Sequence, residues 1–320
     1  MVESTVVICA YALDRWDDLA AALVSLRQQT VVPTRVVVVV DHNPALLERI
    51  RNHAPDVTSI ANRHRRGLSG ARNTGVEEAI GEVVAFLDDD AVAATDWLEC
   101  LLTWYSDPNV LGVGGSITPS WPHGARPPWF PPEFDWVVGC SYRGMPDRAA
   151  PVRNFIGANM SYQRAVFAKA GCFREGLGRL GDQPLGCEET EFSIRALRHF
   201  PGSYMLYAPN AHVDHHVSPA RTRPRYFLAR CWSEGLSKAD VTHLTGAKQG
   251  LSSERTYTLR TLPLGVASSI AAAFRGDLWG FARMIAIVVG FVATSAGYVY
   301  RQSREASRPA LESAEPRHDS

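Results

Sequence analysis

Two acid clusters and one histidine group carry the residue types in this chain that could do chemistry. Asp88-Asp89-Asp90 closes an apolar run, Val83 to Leu87, with the pattern of a buried strand. Burying ionised carboxylates is costly unless a positive group meets them. Three acids at a strand end therefore invite a cation, and oxygen ligands favour a hard divalent ion, Mg2+ or Mn2+, that can hold phosphates. The competing reading is an acidic turn, since Asp favours turns. The second cluster, Glu188-Glu189-Thr190-Glu191, opens a predicted helix. Acids suit a first helical turn, and Glu191 faces Arg195 at i,i+4; a general base held at the helix start is the alternative. His212, His215 and His216 crowd one strand-like end. They are either plain polar residues there, or one of them completes a metal shell or holds a diphosphate oxygen beside the aspartates. Gly67 to Asn73 is a glycine-punctuated loop whose N–H groups suit phosphate, with Arg72 placed to reach a diphosphate. It matches neither a Walker loop nor GxGxxG. No GxSxG and no Cys with an evident His partner offers a covalent nucleophile.

Alternating strands and helices must position these groups. Val6–Ala10, Val36–Val40, Val57–Ile60 and Val83–Leu87 read as strands, and Trp16–Gln28, Ala45–His53 and the segment entered from Gly67 read as helices. The unbroken β-branched run 36–40 marks a strand covered on both faces. Such alternation predicts an α/β fold, Rossmann-like, with a mostly parallel sheet and ligands beyond the strands' carboxyl ends. Asp41 and Asp88 fall at such ends. Residues 121–151 are too rich in Pro for regular ladders and predict an ordered loop packed by its Trp and Phe side chains. Asn154–Met160 and Ser203–Ala208 read as later strands, and Glu188–Arg198 as a helix.

Composition narrows the function classes. The chain has 320 residues, with 33 Lys and Arg against 33 Asp and Glu, so no global charge points to nucleic acid. Six scattered cysteines without a CxxC argue against a zinc site and a disulfide framework, and fit a reducing cytoplasm. The first residues lack the pattern of a signal peptide, which leads us to expect a cytosolic catalytic part.

The order of motifs is more specific than any one of them. Val-Val-Ile-Cys-Ala-Tyr at 6–11, the strand ending in Asp41, Gly-Ala-Arg-Asn at 70–73, Phe-Leu-Asp-Asp-Asp at 86–90 and Glu-Glu-Thr-Glu at 188–191 together resemble family 2 glycosyltransferases of the GT-A fold. A narrower likeness is to the glucosyl-dolichyl-phosphate glucuronosyltransferases. The resemblance implies an inverting transfer of a sugar from a UDP-sugar to a hydroxyl of a lipid-linked saccharide or polysaccharide, assisted by Mn2+ or Mg2+. It implies that Asp41, Ala10 and Tyr11 line the nucleotide pocket, with Arg72 near the diphosphate. Asp88 would approach the ribose or the metal, Asp90 would hold the metal with His215 as a further ligand, and Asp89 would stand beside them as the structural member. Glu189 takes the place of the catalytic base, with Glu where the family usually has Asp, and Glu188 is the weaker candidate. Gly157, Ala158 and Asn159 would border the sugar and acceptor, as would Trp232 in the Arg-rich stretch 221–239. Two rivals are a sugar-nucleotide pyrophosphorylase, disfavoured because Tyr11–Arg15 has no glycine, and an inactive scaffold, disfavoured because both acid clusters are intact.

The expected organisation is a catalytic domain at 1–216, an Arg-rich helical extension at 217–260, apolar helices at 261–304 and a disordered tail at 305–320. Met284 to Tyr300 is 17 residues without a formal charge, roughly 25 Å of helix, short for a bilayer core of about 30 Å. Arginines flank both sides, so an interfacial helix or shallow hairpin fits better than a span. Docking on the domain, or on a second copy in a homo-oligomer, is the alternative. The resulting expectation is a cytoplasmic enzyme, peripheral on the inner face of the cell membrane.

Overall fold

The computed structural model describes residues 2–179, 186–246, 250 and 252–306. Four parallel strands form one half of its sheet: β1 (Ser4–Ala10), β2 (Arg35–Val40), β3 (Thr58–Ala61) and β4 (Val83–Asp88). The other half is mixed: β5 (Ala91–Ala93), β6 (Val110–Ser120), β7 (Ala150–Val152), β8 (Asn159–Gln163) and β9 (Tyr204–His216). The order is β3-β2-β1-β4-β8-β6-β9-β5, with β7 on β9. Strand period two sends Val6, Ile8, Val38, Ala85 and Leu87 to one face, where α1 (Trp16–Arg27), α2 (Pro44–His53) and α4 (Trp97–Leu102) cover them. Val7, Val37, Val39, Val84 and Phe86 face the other side, under α3 (Leu68–Glu78), α5 (Arg164–Ala170) and α6 (Glu188–His199). This is why the β-branched run in β2 shows no alternation.

The structure adds a strand to those expected and moves the boundaries of two others. β6, central in the sheet, escapes sequence reading because Gly112, Gly114, Gly115 and Pro119 dilute its β propensity. β8 starts only at Asn159, where pairing with β4 begins, and β9 runs on to His216 because β5 and β6 pair with its second half. The loop after β6 is packed by aromatics as expected. Trp129, Phe130 and Phe134 surround Phe227 at ring separations of 5.6, 5.5 and 5.2 Å, seating α7 (Pro224–Thr245).

Beyond α7 lie a short helix α8 (Ser252–Thr256), α9 (Leu262–Phe274) and α10 (Trp279–Ala306). The last is one helix of 28 residues, longer than the charge-free stretch suggested. The arginines that interrupt it are paired: Arg283 reaches Asp277 and the Pro128 carbonyl, and Arg301 reaches Asp240 at 2.6 Å. Trp279–Arg304 is long and apolar enough to cross a membrane by length and composition. One face is docked on α7 and α9, while Ile285, Val288, Val292 and Val299 remain exposed on another. Docking is close because glycines meet: a Cβ on Gly235 would strike the Thr294 carbonyl and lie 2.7 Å from Tyr298 N. Gly235→Val is therefore expected to destabilise the protein by about 1–3 kcal/mol, as overpacked contacts do. Urea unfolding measures this, and an unchanged midpoint would show that α10 is not held through this contact. Most of the tail expected at 305–320 lies outside the described residues.

Candidate active site

Parallel pairing puts the ends of β1, β2 and β4 on one edge, with Ala10 beside Val40 and Cys9 beside Asp88. The chain continues from Val40 into Asp41, whose Oδ1 accepts from Asn62 Nδ2 at 2.7 Å and whose Oδ2 accepts from Gly67 N–H at 3.0 Å. Gly67 has φ 127°, a conformation that suits glycine, and it starts α3 beneath this edge. The Asn43 side chain donates to the Tyr11 carbonyl at 2.9 Å. Ala10, Tyr11, Asp41, Asp88, Asp89 and Asp90 line one cleft, so the residues expected at the nucleotide do converge, apart from Arg72.

The sheet also supplies the histidine. Ala91 pairs with His215, and His216 N–H donates to the Asp90 carbonyl at 2.8 Å. His215 Nε2 therefore lies 3.0 Å from Asp90 Oδ1. One ligand atom from each of Asp88, Asp90 and His215 falls within 4.8 Å of the others. His212 and His216 turn elsewhere, to Ser116 and Asp18. Two carboxylates and an imidazole suit Mn2+ or Mg2+, and buried Asp89 Oδ2 has no hydrogen-bond partner, so the donor set fits a divalent cation. Burial opposes the Asp90 charge, but His215, Arg15 and Arg221 outweigh it and hold that carboxyl well below the usual range. Burial pushes Asp89 up despite Arg15 at 2.9 Å.

Arg72 corrects one expectation. It is buried, with Nη1 donating to Glu188 Oε1 at 2.5 Å, Nη2 donating to the Gly157 carbonyl at 3.1 Å and Nη2 3.7 Å from Asp88 Oδ1. Fixed in this way, it braces carboxylates and is not free to reach a diphosphate. It also separates the two glutamates. Glu188 is buried and paired, whereas Glu189 is half-buried and forms no salt bridge among the described residues. Burial and then the Glu188 charge push the Glu189 carboxyl above its usual range, with Arg72 opposing. Cys187, at φ 72°, sets the entry to α6 and donates to Glu234 on α7.

Two further expectations change. Asn159 is fully buried; its Nδ2 donates to the Ser116 and Ala211 carbonyls and its Oδ1 accepts from Trp97 Nε1, which leaves no donor for a ligand. Trp232 packs on Tyr300 of α10, with ring centroids 5.5 Å apart, and so belongs to the helical extension. Gly157 and Ala158 lie next to the site through their backbone: the Ala158 carbonyl accepts from Asp88 N–H at 3.4 Å. Sequence reading missed Arg15 and Arg221, both paired with Asp90, because no local pattern marks them.

A strand-end cleft of this kind, with an acid triplet and a glutamate pair joined through one arginine, defines a GT-A glycosyltransferase. The chain belongs to the glycosyl transferase family 2, whose profile matches residues 5–171. That membership sets aside the pyrophosphorylase alternative. The chain is 32% identical over 301 residues to the glucosyl-dolichyl phosphate glucuronosyltransferase of Haloferax volcanii, covering 92% of this chain and 95% of that one. Its fold resembles the mannosyltransferase PcManGT of Pyrobaculum calidifontis in complex with GDP-Man and Mn2+, at TM-score 0.59 and 18% identity, over 93% of this chain and 87% of the other. It also resembles GalNAc-T7 with UDP, GalNAc and Mn2+, at TM-score 0.52 and 19% identity, over 74% and 48% of the two chains.

Proposed function

We propose that the protein moves a sugar from a UDP-sugar to a hydroxyl of a lipid-linked saccharide in one inverting displacement. The observation that carries this reading is the division of labour at Arg72. Glu188 is committed to that guanidinium, and Glu189 beside it, in no salt bridge among the described residues, keeps a carboxyl with raised proton affinity. Glu189 takes the acceptor hydroxyl proton as that oxygen bonds to the anomeric carbon. The bond from that carbon to the diphosphate breaks, and the nucleoside diphosphate leaves with the electron pair. Asp41, Ala10 and Tyr11 hold the nucleoside. Asp88, Asp90 and His215 would hold Mn2+ or Mg2+, which neutralises charge growing on the leaving diphosphate. The dolichyl phosphate in the Haloferax relative's name supports the lipid-linked acceptor, and the UDP or GDP-Man bound with Mn2+ in the two solved neighbours supports a nucleotide-sugar donor with a divalent cation. The exposed apolar face of α10 would rest against the inner face of the cell membrane, where such an acceptor lies.

The test is a thermal-shift screen of UDP-glucose, UDP-galactose, UDP-glucuronate and their N-acetyl relatives with Mn2+, followed by transfer and product analysis. One donor is expected to stabilise the protein only with metal, by about 2.7 kcal/mol at a hundred times its Kd. The product should carry the inverted anomeric configuration. Retention, or no Mn2+-dependent UDP-sugar binding, overturns the reading.

A further inference from the structure

The acid triplet is already met by arginine side chains. Arg15 Nη2 lies 2.9 Å from Asp89 Oδ1 and also pairs with Asp90, and Arg221 Nη1 lies 3.4 Å from Asp90 Oδ2. With Arg72 near Asp88 and shared with Glu188, three guanidinium groups face four carboxylates. The three arginines are not equivalent. Arg72 is 2% exposed and held by Glu188 and a backbone carbonyl. Arg15 and Arg221 are 17% and 14% exposed and sit on short turns, Leu13–Arg15 before α1 and Pro219–Thr222 after β9. Arg15 lines the same cleft as Tyr11 and lies 5.6 Å from that ring's centroid.

A dication added to this cluster meets carboxylates that guanidinium groups already occupy, and leaves the cleft with surplus positive charge. Arg15 and Arg221 must then release Asp89 and Asp90, and need an anion. We propose that Arg15 and Arg221 are diphosphate-binding residues whose resting partners are the metal-site aspartates. Each arginine thereby exchanges a carboxylate partner for a phosphate oxygen when cation and nucleoside diphosphate are both bound. The proposal rests on the donor reading above. It assigns to these two side chains a role that Arg72 is too constrained to fill.

Titration calorimetry with Mn2+ alone, and with UDP at saturating Mn2+, tests it on the wild type, Arg15→Met, Arg221→Met and Arg15→Lys. In the wild type UDP should raise Mn2+ affinity by roughly five- to 150-fold, the usual span of site coupling, and Mn2+ should raise UDP affinity equally. Each Met variant should bind Mn2+ alone about tenfold more tightly and UDP about tenfold more weakly, as expected for one charge-assisted bond lost. Arg15→Lys should behave nearly as wild type, which separates charge from a folding defect. Met variants lacking either change overturn the inference. So does parallel weakening of both ligands, which would mark the arginines as mere supports of the triplet. A wild type that binds no UDP with Mn2+ sinks the donor reading as well, whereas normal wild-type binding with unaltered variants sinks only this one.

Discussion

Glu189→Gln is expected to lower sugar transfer by about 10²–10⁴-fold while leaving UDP-sugar binding with Mn2+ nearly unchanged. Gln keeps the size of the side chain and removes its negative charge and its ability to accept a proton. The pH profile gives a second readout. Burial and the adjacent Glu188 raise the proton affinity of Glu189, so its active, ionised form appears only above the ordinary carboxylate range. The wild-type rate should therefore climb with pH through a pKa above about 4.3, falling about tenfold per pH unit below it. In Glu189→Gln this ascending limb should vanish. Transfer assays across pH with isothermal binding measurements decide the matter; retained transfer, or lost donor binding, would reassign the base.

The second large effect is expected at Arg72. Arg72→Met should destabilise the fold by about 3–5 kcal/mol, the cost of leaving one partner of a buried ion pair uncompensated. The loss is sharp because Glu188 Oε2 already has no hydrogen-bond partner, so removing Arg72 strips Glu188 Oε1 as well. Asp88 loses its nearby cation and the Gly157 carbonyl loses a donor. Glu188→Gln added to Arg72→Met should recover most of the stability, since the stranded charge is then gone. Urea unfolding of the single and double variants measures both terms. A single-variant loss below about 1 kcal/mol, the range of exposed pairs, would mean that the buried pair does not brace the site.

Much of the parallel half-sheet was legible because its signals are local. Residues 36–40 and 83–87 announce strands by composition, the helices by spacing, and Asp41 and Asp88 by following strand ends. β6 was not legible, because its glycines carry no propensity and its place comes from partners at β8 and β9. The apparent limit of the C-terminal apolar stretch was set by arginines whose charges are met by Asp277, across the turn before the helix, and by Asp240, 61 positions away.

The same division runs through the site. Residue types and motif order by themselves determined the family and put Asp41 and the Asp88–Asp90 triplet at strand ends, and they led us to expect chemistry at the triplet and the glutamate pair. Only the tertiary structure decided which acid is paired and which is open. Arg72 reaches Glu188 across 116 positions, and His215 arrives beside Asp90 only because β9 pairs with β5. Arg15 and Arg221 enter by the same route. The physical reason is that a carboxylate's role depends on its neighbours' charge and on its burial. Both are properties of the assembled sheet edge, while the identity of the carboxylate is a property of the chain.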